Sequence, residues 1–317
     1  MKSSAIAVSG LRKAYGDNVV LDGIDFDVAP GSIYSLLGPN GAGKTTTVNV
    51  LTTLLKADAG TVRVAGHDVT TATKQVRAAI GVTGQFAAVD ELLSGRENLQ
   101  LMADLKHVRP SNQIVTQLLE RFDLVESADK MTSTYSGGMR RKLDLAMTLV
   151  GNPQIIFLDE PTTGLDPRSR RTMWAIVREL VAEGSTIFLT TQYLEEADQL
   201  ADQLAVLHQG RLVAQGTPEK LKRQVGGSHV QFRFSDLYEL EAAAQILPES
   251  TRNDEELTLR VPHDGDSRSL VALLTRLDQQ TINAQEFAVR TPDLDDVFLA
   301  LTEQTSTKHT SKEAIAR

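Results

Sequence analysis

Lys44 closes the stretch GPNGAGKTT (38–46), in which Gly38, Gly43, Lys44 and Thr45 take the spacing G-x-x-x-x-G-K-S/T. Glycines at these places let backbone N–H groups converge on phosphate oxygens that side chains would hold away. The lysine then reaches the outer phosphates of a nucleoside triphosphate, and the Thr45 hydroxyl is placed for Mg2+. A second reactive pair, Asp159 and Glu160, ends the apolar run IIFLDE. Successive strand residues face opposite ways, but at a strand end the chain is free to turn both carboxylates toward one ligand. Asp159 is then suited to hold Mg2+ through its water shell, and Glu160 to accept a proton from an attacking water. A third stretch, YSGGMRRKLD (135–144), places Ser136, Gly137 and Gly138 ahead of a helical pattern. That is a second candidate anion cradle, although in isolation it reads equally well as a plain helix cap with Ser136 as N-cap.

The elements that must carry these groups are legible as short apolar runs followed by helical patterns. SIYSLLG (32–38), QIIFLDE (154–160) and STIFLTT (185–191) have few polar interruptions, the mark of strands buried on both faces of a largely parallel sheet. Helices are predicted at KTTTVNVLTTLLK from 44, RTMWAIVRELVAE from 171 and YLEEADQLAD from 193. From 91 to 150 the pattern turns helical, best in GRENLQLMADLK and SNQIVTQLLERFDL, and reads as a helical subdomain inserted in the α/β core. QLAVLHQGRLVAQG predicts a hairpin around Gly210, and TPEK at 217–220 a short helix with Thr217 as N-cap and Pro218 first inside. A boundary is expected at GGS (226–228), followed by three more strand–helix alternations and a polar, disordered tail from Glu303.

Composition narrows the function. The 317 residues carry a net charge of −8 with acids and bases interspersed, which argues against nucleic acid as a partner. With no cysteine, disulfides, zinc–thiolate sites and cysteine nucleophiles are excluded. The N-terminus lacks the apolar core of a secretion signal, and no run approaches the length of a membrane span.

In chain order, the phosphate loop, Gln85, YSGGM, IIFLDE and GLDP (164–167) resemble the ATP-binding cassette (ABC) ATPases from residue 5 to about 220. QFAAVDELLSGRENL, YSGGMRRKLDLA, TTQYLEEADQLAD and TPDLDDVFLALT are most similar to the ATP-binding subunits of drug exporters of the daunorubicin-resistance type. The resemblance implies a P-loop NTPase of mixed-sheet core and helical subdomain over 1–225, with a small C-terminal α/β (α+β) domain over 229–302. It implies ATP and Mg2+ as cofactors. ATP would lie on Tyr15, which stacks on adenine, and on Gly38, Pro39, Asn40, Gly41, Ala42, Gly43, Lys44, Thr45 and Thr46. Mg2+ would be held by Thr45, Gln85 and Asp159. Ser136, Gly137 and Gly138 would bind the nucleotide of a second copy packed head to tail, with Asp166 communicating between the two sites. Glu160, Gln85 and Gln192 make up the implied catalytic set, Gln85 also sensing the membrane partner. Two positions depart from the family pattern: Met139 replaces a glutamine, and Gln192 a histidine. Gln192 can donate to a γ-phosphate oxygen but cannot carry a proton or positive charge.

The implied function is the ATP-hydrolysing subunit of an exporter of drugs or other hydrophobic compounds. It would work as a homodimer with a separate integral membrane permease, at the cytoplasmic face of the membrane. The alternative is a non-transport ABC ATPase acting as a nucleotide-dependent regulatory or binding module. Translation-associated members usually carry two cassettes in one chain, and repair members insert coiled coils or zinc modules. Neither feature is found here.

Overall fold

Alternation of apolar and acidic residues starts the fold. In β2 (Asn18–Val28) Leu21, Ile24, Phe26 and Val28 are buried, whereas Asp25 and Asp27 are exposed, and the strand pairs antiparallel with β1 (Ile6–Tyr15). The computed structural model describes residues 4–85, 88–225, 228–263, 266–290 and 293–298. The chain continues through β3 (Ile33–Leu37), α1 (Lys44–Leu51), β4 (Ala59–Val64), β5 (His67–Asp68), α2 (Thr73–Ala79) and β6 (Ile80–Thr83). Helices α3 (Gly95–Leu105), α4 (Ser111–Arg121) and α5 (Gly137–Leu149) occupy the stretch expected to be helical. Then come β7 (Ile155–Asp159), α6 (Pro167–Ala182), β8 (Thr186–Thr191), α7 (Leu194–Leu200), and the hairpin β9 (Gln203–His208) and β10 (Arg211–Gly216).

Two sheets result. β2-β1-β4-β5 is antiparallel, and β10-β9-β3-β8-β7-β6 is parallel except for the antiparallel edge strand β10. Every residue of β3, β7 and β8 is buried, as expected for strands covered on both faces. Ile156, Leu158, Ile187 and Leu189 point into the core beneath the helices, with Leu99, Phe122, Leu143 and Trp174. Their neighbours Phe157 and Phe188 face a second core shared with the antiparallel sheet, in which Phe26 stacks on Tyr34 at 5.1 Å and Tyr34 on Phe188 at 5.6 Å.

Two helix limits differ most from the sequence expectation. α1 ends at Leu51 rather than running through Lys56: Thr53 adopts φ 66° and the amides of Leu54 and Leu55 both turn back to the Asn49 carbonyl. α6 begins at Pro167, four residues ahead of the expected start, because the Asp166 carboxylate caps it and proline suits the first helical position.

The chain divides into two units between Pro218 and Glu219, ahead of the expected GGS boundary, so that all but the first residue of α8 (Pro218–Val225) falls in the second unit. That unit contains β11 (His229–Arg233), α9 (Leu237–Ile246), β12 (Thr251–Asn253), β13 (Thr258–Pro262), α10 (Ser267–Gln279) and β14 (Glu286–Arg290). Its sheet, β12-β13-β11-β14, is antiparallel throughout and buries Val230, Phe232 and Leu259 with Leu240 and Ala243 of α9 and Leu277 of α10, an α+β arrangement. The last expected helix is described only at 294–298, and the tail 303–317 lies outside the described residues.

Candidate nucleotide and hydrolysis site

Four adjacent strands of the parallel sheet, in the order β3-β8-β7-β6, end beside one another, and each hands the chain to a residue expected to act on nucleotide. β3 runs into Gly38–Thr46, β8 into Gln192, β7 into Asp159 and Glu160, and β6 into Gln85. The registers align these exits: Leu37 lies opposite Thr191, Asp159 opposite Thr190, and Thr83 opposite Leu158. Ligands of open α/β sheets bind in this crevice, at the carboxyl ends of the strands.

The loop is built for close approach. A Cβ on Gly38 would stand 2.4 Å from the Leu207 carbonyl oxygen, and Gly43 sits at φ 110° with no room beside Leu21. Lys44 is 4% exposed and donates to the carbonyls of Gly38 (2.8 Å) and Pro39 (3.1 Å). Its third partner is Glu160 Oε1 at 3.1 Å, itself 6% exposed, so the amine of the glycine loop and the carboxylate that follows β7 share one buried locus. Thr45 is exposed on the first turn of α1. Asp159 and Glu160 are both tied to Thr190 of β8: its hydroxyl donates to Asp159 Oδ1 and accepts the Glu160 amide at 3.1 Å. Glu160 adopts φ 49° and takes the Thr163 hydroxyl on Oε2 at 3.2 Å. Gln85 is exposed and Gln192 half-buried. Tyr15, 51% exposed, closes the β1–β2 hairpin opposite Asn18, with the Lys13 amine 5.6 Å from its ring centroid; Val20 and Leu21 of the same hairpin lie against Gly43.

Ser136, Gly137, Gly138 and Asp166 form a separate group. Ser136 caps α5, accepting from the Met139 amide at 3.2 Å. Asp166 caps α6 through the amides of Arg168 and Ser169, both at 3.0 Å, and accepts the Ser169 hydroxyl, whose oxygen lies against Gly138. Among the described residues no hydrogen bond or ion pair joins this group to 38–46.

Three residues at the site escaped sequence reasoning. Thr190 is one. The others are Arg141 and Asp144 of α5, a buried ion pair at 3.1 Å that contacts the backbone around Gln85 and Glu160. Burial pushes the Asp144 carboxyl above its usual range, opposed by the Ala88 amide and the Arg141 charge. Their only sequence signal is a charged triplet, RRK, followed by an aspartate inside an apolar run.

Comparison with known proteins decides the family. The sequence model described as ABC transporter matches residues 21–163, and that described as ATP-binding protein DrrA1-3-like, C-terminal domain, matches 216–302. The daunorubicin resistance ATP-binding protein DrrA3 of Streptomyces coeruleorubidus is 48% identical over 306 residues, covering 95% of this chain and 97% of that one. The chain belongs to the ABC transporter ATP-binding subunits. The Nod factor export ATP-binding protein I of Ralstonia nicotianae is 38% identical over 302 residues, 94% of this chain and 93% of its own. Among solved structures, an ATP-binding subunit of an ABC transporter superposes with a TM-score of 0.63 at 27% identity, over 70% of this chain and 93% of that one. This ABC subunit is therefore an ATPase of the exporter type, with a P-loop fold and an accessory C-terminal unit. No helix among its described residues is long and apolar enough to cross a membrane.

Proposed function

We propose that ATP lies across the strand ends described above, with its outer phosphates on Gly38–Thr46 and its base against Tyr15. What carries this reading is the lateral order of the four strand exits, which sets the amine of Lys44 beside the carboxylate of Glu160. A tightly turned glycine loop, a buried amine and an exposed first-turn hydroxyl fit a polyphosphate. Hard oxygen donors on Thr45, Asp159 and Gln85 fit Mg2+, which is usually bound through one or two carboxylates plus substrate phosphates. Mg2+ would supply charge neutralisation on the phosphates. Glu160 takes the proton of the attacking water, held in place by Thr163 and by the Glu160 amide bonds to Thr190. Gln192 donates its amide to the terminal phosphate.

Among the described residues no hydrogen bond or ion pair ties the Ser136–Gly138 helix start to 38–46 of its own chain, which leaves it available to the nucleotide of another copy. Two chains in head-to-tail symmetry would complete two sites. As an ABC transporter ATP-binding subunit, the chain would couple this cycle to a separate membrane permease at the cytoplasmic face. Relatives named for daunorubicin resistance and for Nod factor export support efflux of a drug or another hydrophobic compound. The decisive experiment is Glu160→Gln. Glutamine preserves the size; its amide oxygen still accepts from Lys44 and its NH2 donates to the Thr163 hydroxyl oxygen in place of accepting from it. ATP binding should therefore persist while hydrolysis falls roughly 10²- to 10⁴-fold. With ATP the variant should elute as a dimer. Turnover near that of wild type would overturn the assignment.

A further inference from the structure

Arg141 lies five residues into the helix that Ser136 caps, 7% exposed, beside Asp144 at 3%. All five N–H directions of its guanidinium are used. Nε donates to the Pro161 carbonyl (2.8 Å), and Nη2 to those of Asp159 (3.2 Å) and Glu160 (3.4 Å). Nη1 donates to the Gly84 carbonyl (2.8 Å) and to Asp144 Oδ2 (3.1 Å). Asp144 Oδ1 in turn accepts the Ala88 amide at 3.0 Å. One ion pair on α5 therefore takes main-chain groups on both sides of Gln85 in sequence, and the three consecutive carbonyls around Glu160. Further along the same helix, Thr148 Oγ1 pairs with Thr83 Oγ1 at 2.9 Å and binds α5 to β6 just before Gln85.

The acceptors are almost all backbone, so the pair fixes the course of the chain rather than recognising particular side chains. Glu160 is a non-glycine residue at φ 49°, and the carbonyls before, at and after it are all held by this one guanidinium. Only a planar, five-donor fork can do this; lysine presents three donors from a single point.

We propose that Arg141, anchored by Asp144, is a positioning residue that makes α5, the backbone flanking Gln85 and the Glu160 turn shift as one body, so that displacement at Gln85 changes the hydrolytic step rather than nucleotide affinity. This rests on the roles given above to Gln85 and Glu160. Neither Arg141 nor Asp144 touches 38–46 by a hydrogen bond or ion pair among the described residues, which separates the clamp from phosphate binding.

The test compares full-length wild type with Arg141→Lys and Asp144→Asn. It measures affinity for a fluorescent ATP analogue, kcat and KM for ATP, and hydrogen–deuterium exchange without nucleotide. For Arg141→Lys, analogue affinity should stay within about twofold while kcat drops roughly 10- to 100-fold. Exchange should quicken together in peptides containing Ala88 and in those containing Glu160, distant in sequence but joined by the clamp. Asp144→Asn keeps the Ala88 acceptor and weakens the hold on Arg141, so it should move the same readouts in the same direction, by less. If Arg141→Lys does not fold, Asp144→Asn carries the test. Parallel loss of affinity and kcat, or faster exchange in one segment alone or in neither, would overturn the clamp. Exchange is read independently of turnover, so an active Glu160→Gln would dispose of the proton-acceptor role without deciding this one.

Discussion

Replacing Thr190 by valine isolates one hydroxyl. Thr190 is wholly buried in β8, and valine reproduces its branched shape on a strand. What is lost is the bond to Asp159 Oδ1 and the hydroxyl's share of the Glu160 amide, which keeps the Thr190 carbonyl at 3.1 Å. A hydrogen bond to a buried, charged acceptor contributes about 1.5–3 kcal/mol, so Thr190→Val should cost about 2 kcal/mol. For a unit of this size each kcal/mol moves Tm by about 2–4 °C, which puts the melting transition of the ATPase unit about 4–8 °C lower. Thr190→Ser keeps the hydroxyl and removes a methyl of about 0.8 kcal/mol, so it should fall about 2–3 °C. Calorimetry separates the two, and ATPase rates titrated with Mg2+ add a functional axis. Releasing a carboxylate from its outer partner costs about 10- to 100-fold in metal affinity, and only the valine variant should show that increase in the Mg2+ requirement. A valine variant that melts with wild type and needs no more Mg2+ would refute the claim that this hydroxyl orients Asp159.

Glu196 of α7 is buried, with Oε1 accepting from Thr162 Oγ1 (2.8 Å) and Trp174 Nε1 (3.0 Å). Burial raises its pKa more than the donors Thr191, Thr162 and Trp174 lower it. The folded chain thus holds this proton more tightly than the unfolded one, and ionisation removes stability as pH climbs from the ordinary glutamate range through the elevated value. Glu196→Gln should therefore melt above wild type near pH ~8, with the gap closing as pH falls toward the ordinary glutamate range; a lower Tm at the higher pH contradicts this. Mixing Lys44→Ala with Ser136→Arg, each inactive alone, should restore about a quarter of wild-type hydrolysis, because half the dimers hold one intact site of two. No recovery of either hydrolysis or tight ATP binding would sink the head-to-tail arrangement. A chain ending at Val225 should stay soluble and bind ATP within about twofold of the full chain, since both cores of the first unit and every nucleotide motif lie upstream. An insoluble or nucleotide-blind product would show that the units depend on one another.

Much of this was readable from one chain because it rests on local pattern. SIYSLLG, QIIFLDE and STIFLTT announce doubly buried strands, and the order of the sheet brings the residues after them side by side. The antiparallel sheet was harder. Its alternation is clean only from Ile24 to Val28 of β2; the pairing with β1 shifts register between Val8 and Leu11, between Leu11 and Arg12 and between Lys13 and Ala14, which breaks the period of two. The start of α6 was signalled by aspartate followed by proline, a cap signature overshadowed by the functional reading of GLDP. Arg141 could not be singled out, because Arg140, Arg141 and Lys142 are alike in type and only packing turns the middle one inward. The left-handed Glu160 is likewise a product of tertiary context, for glutamate has no local preference for that conformation.

The pairing of β3 has a consequence for biosynthesis. Its neighbours are β8 and β9: Tyr34 lies opposite Phe188 on one side and Gln203 on the other. The strand that feeds the phosphate loop is thus made early, and both its flanks are made late. Contacts of such long sequence separation form slowly, and domains tend to fold as units during synthesis. On the ribosome, the loop after β3 therefore lacks its full support until the chain has emerged past β9, and a nascent chain stalled before β8 exposes an apolar strand without a partner on either edge.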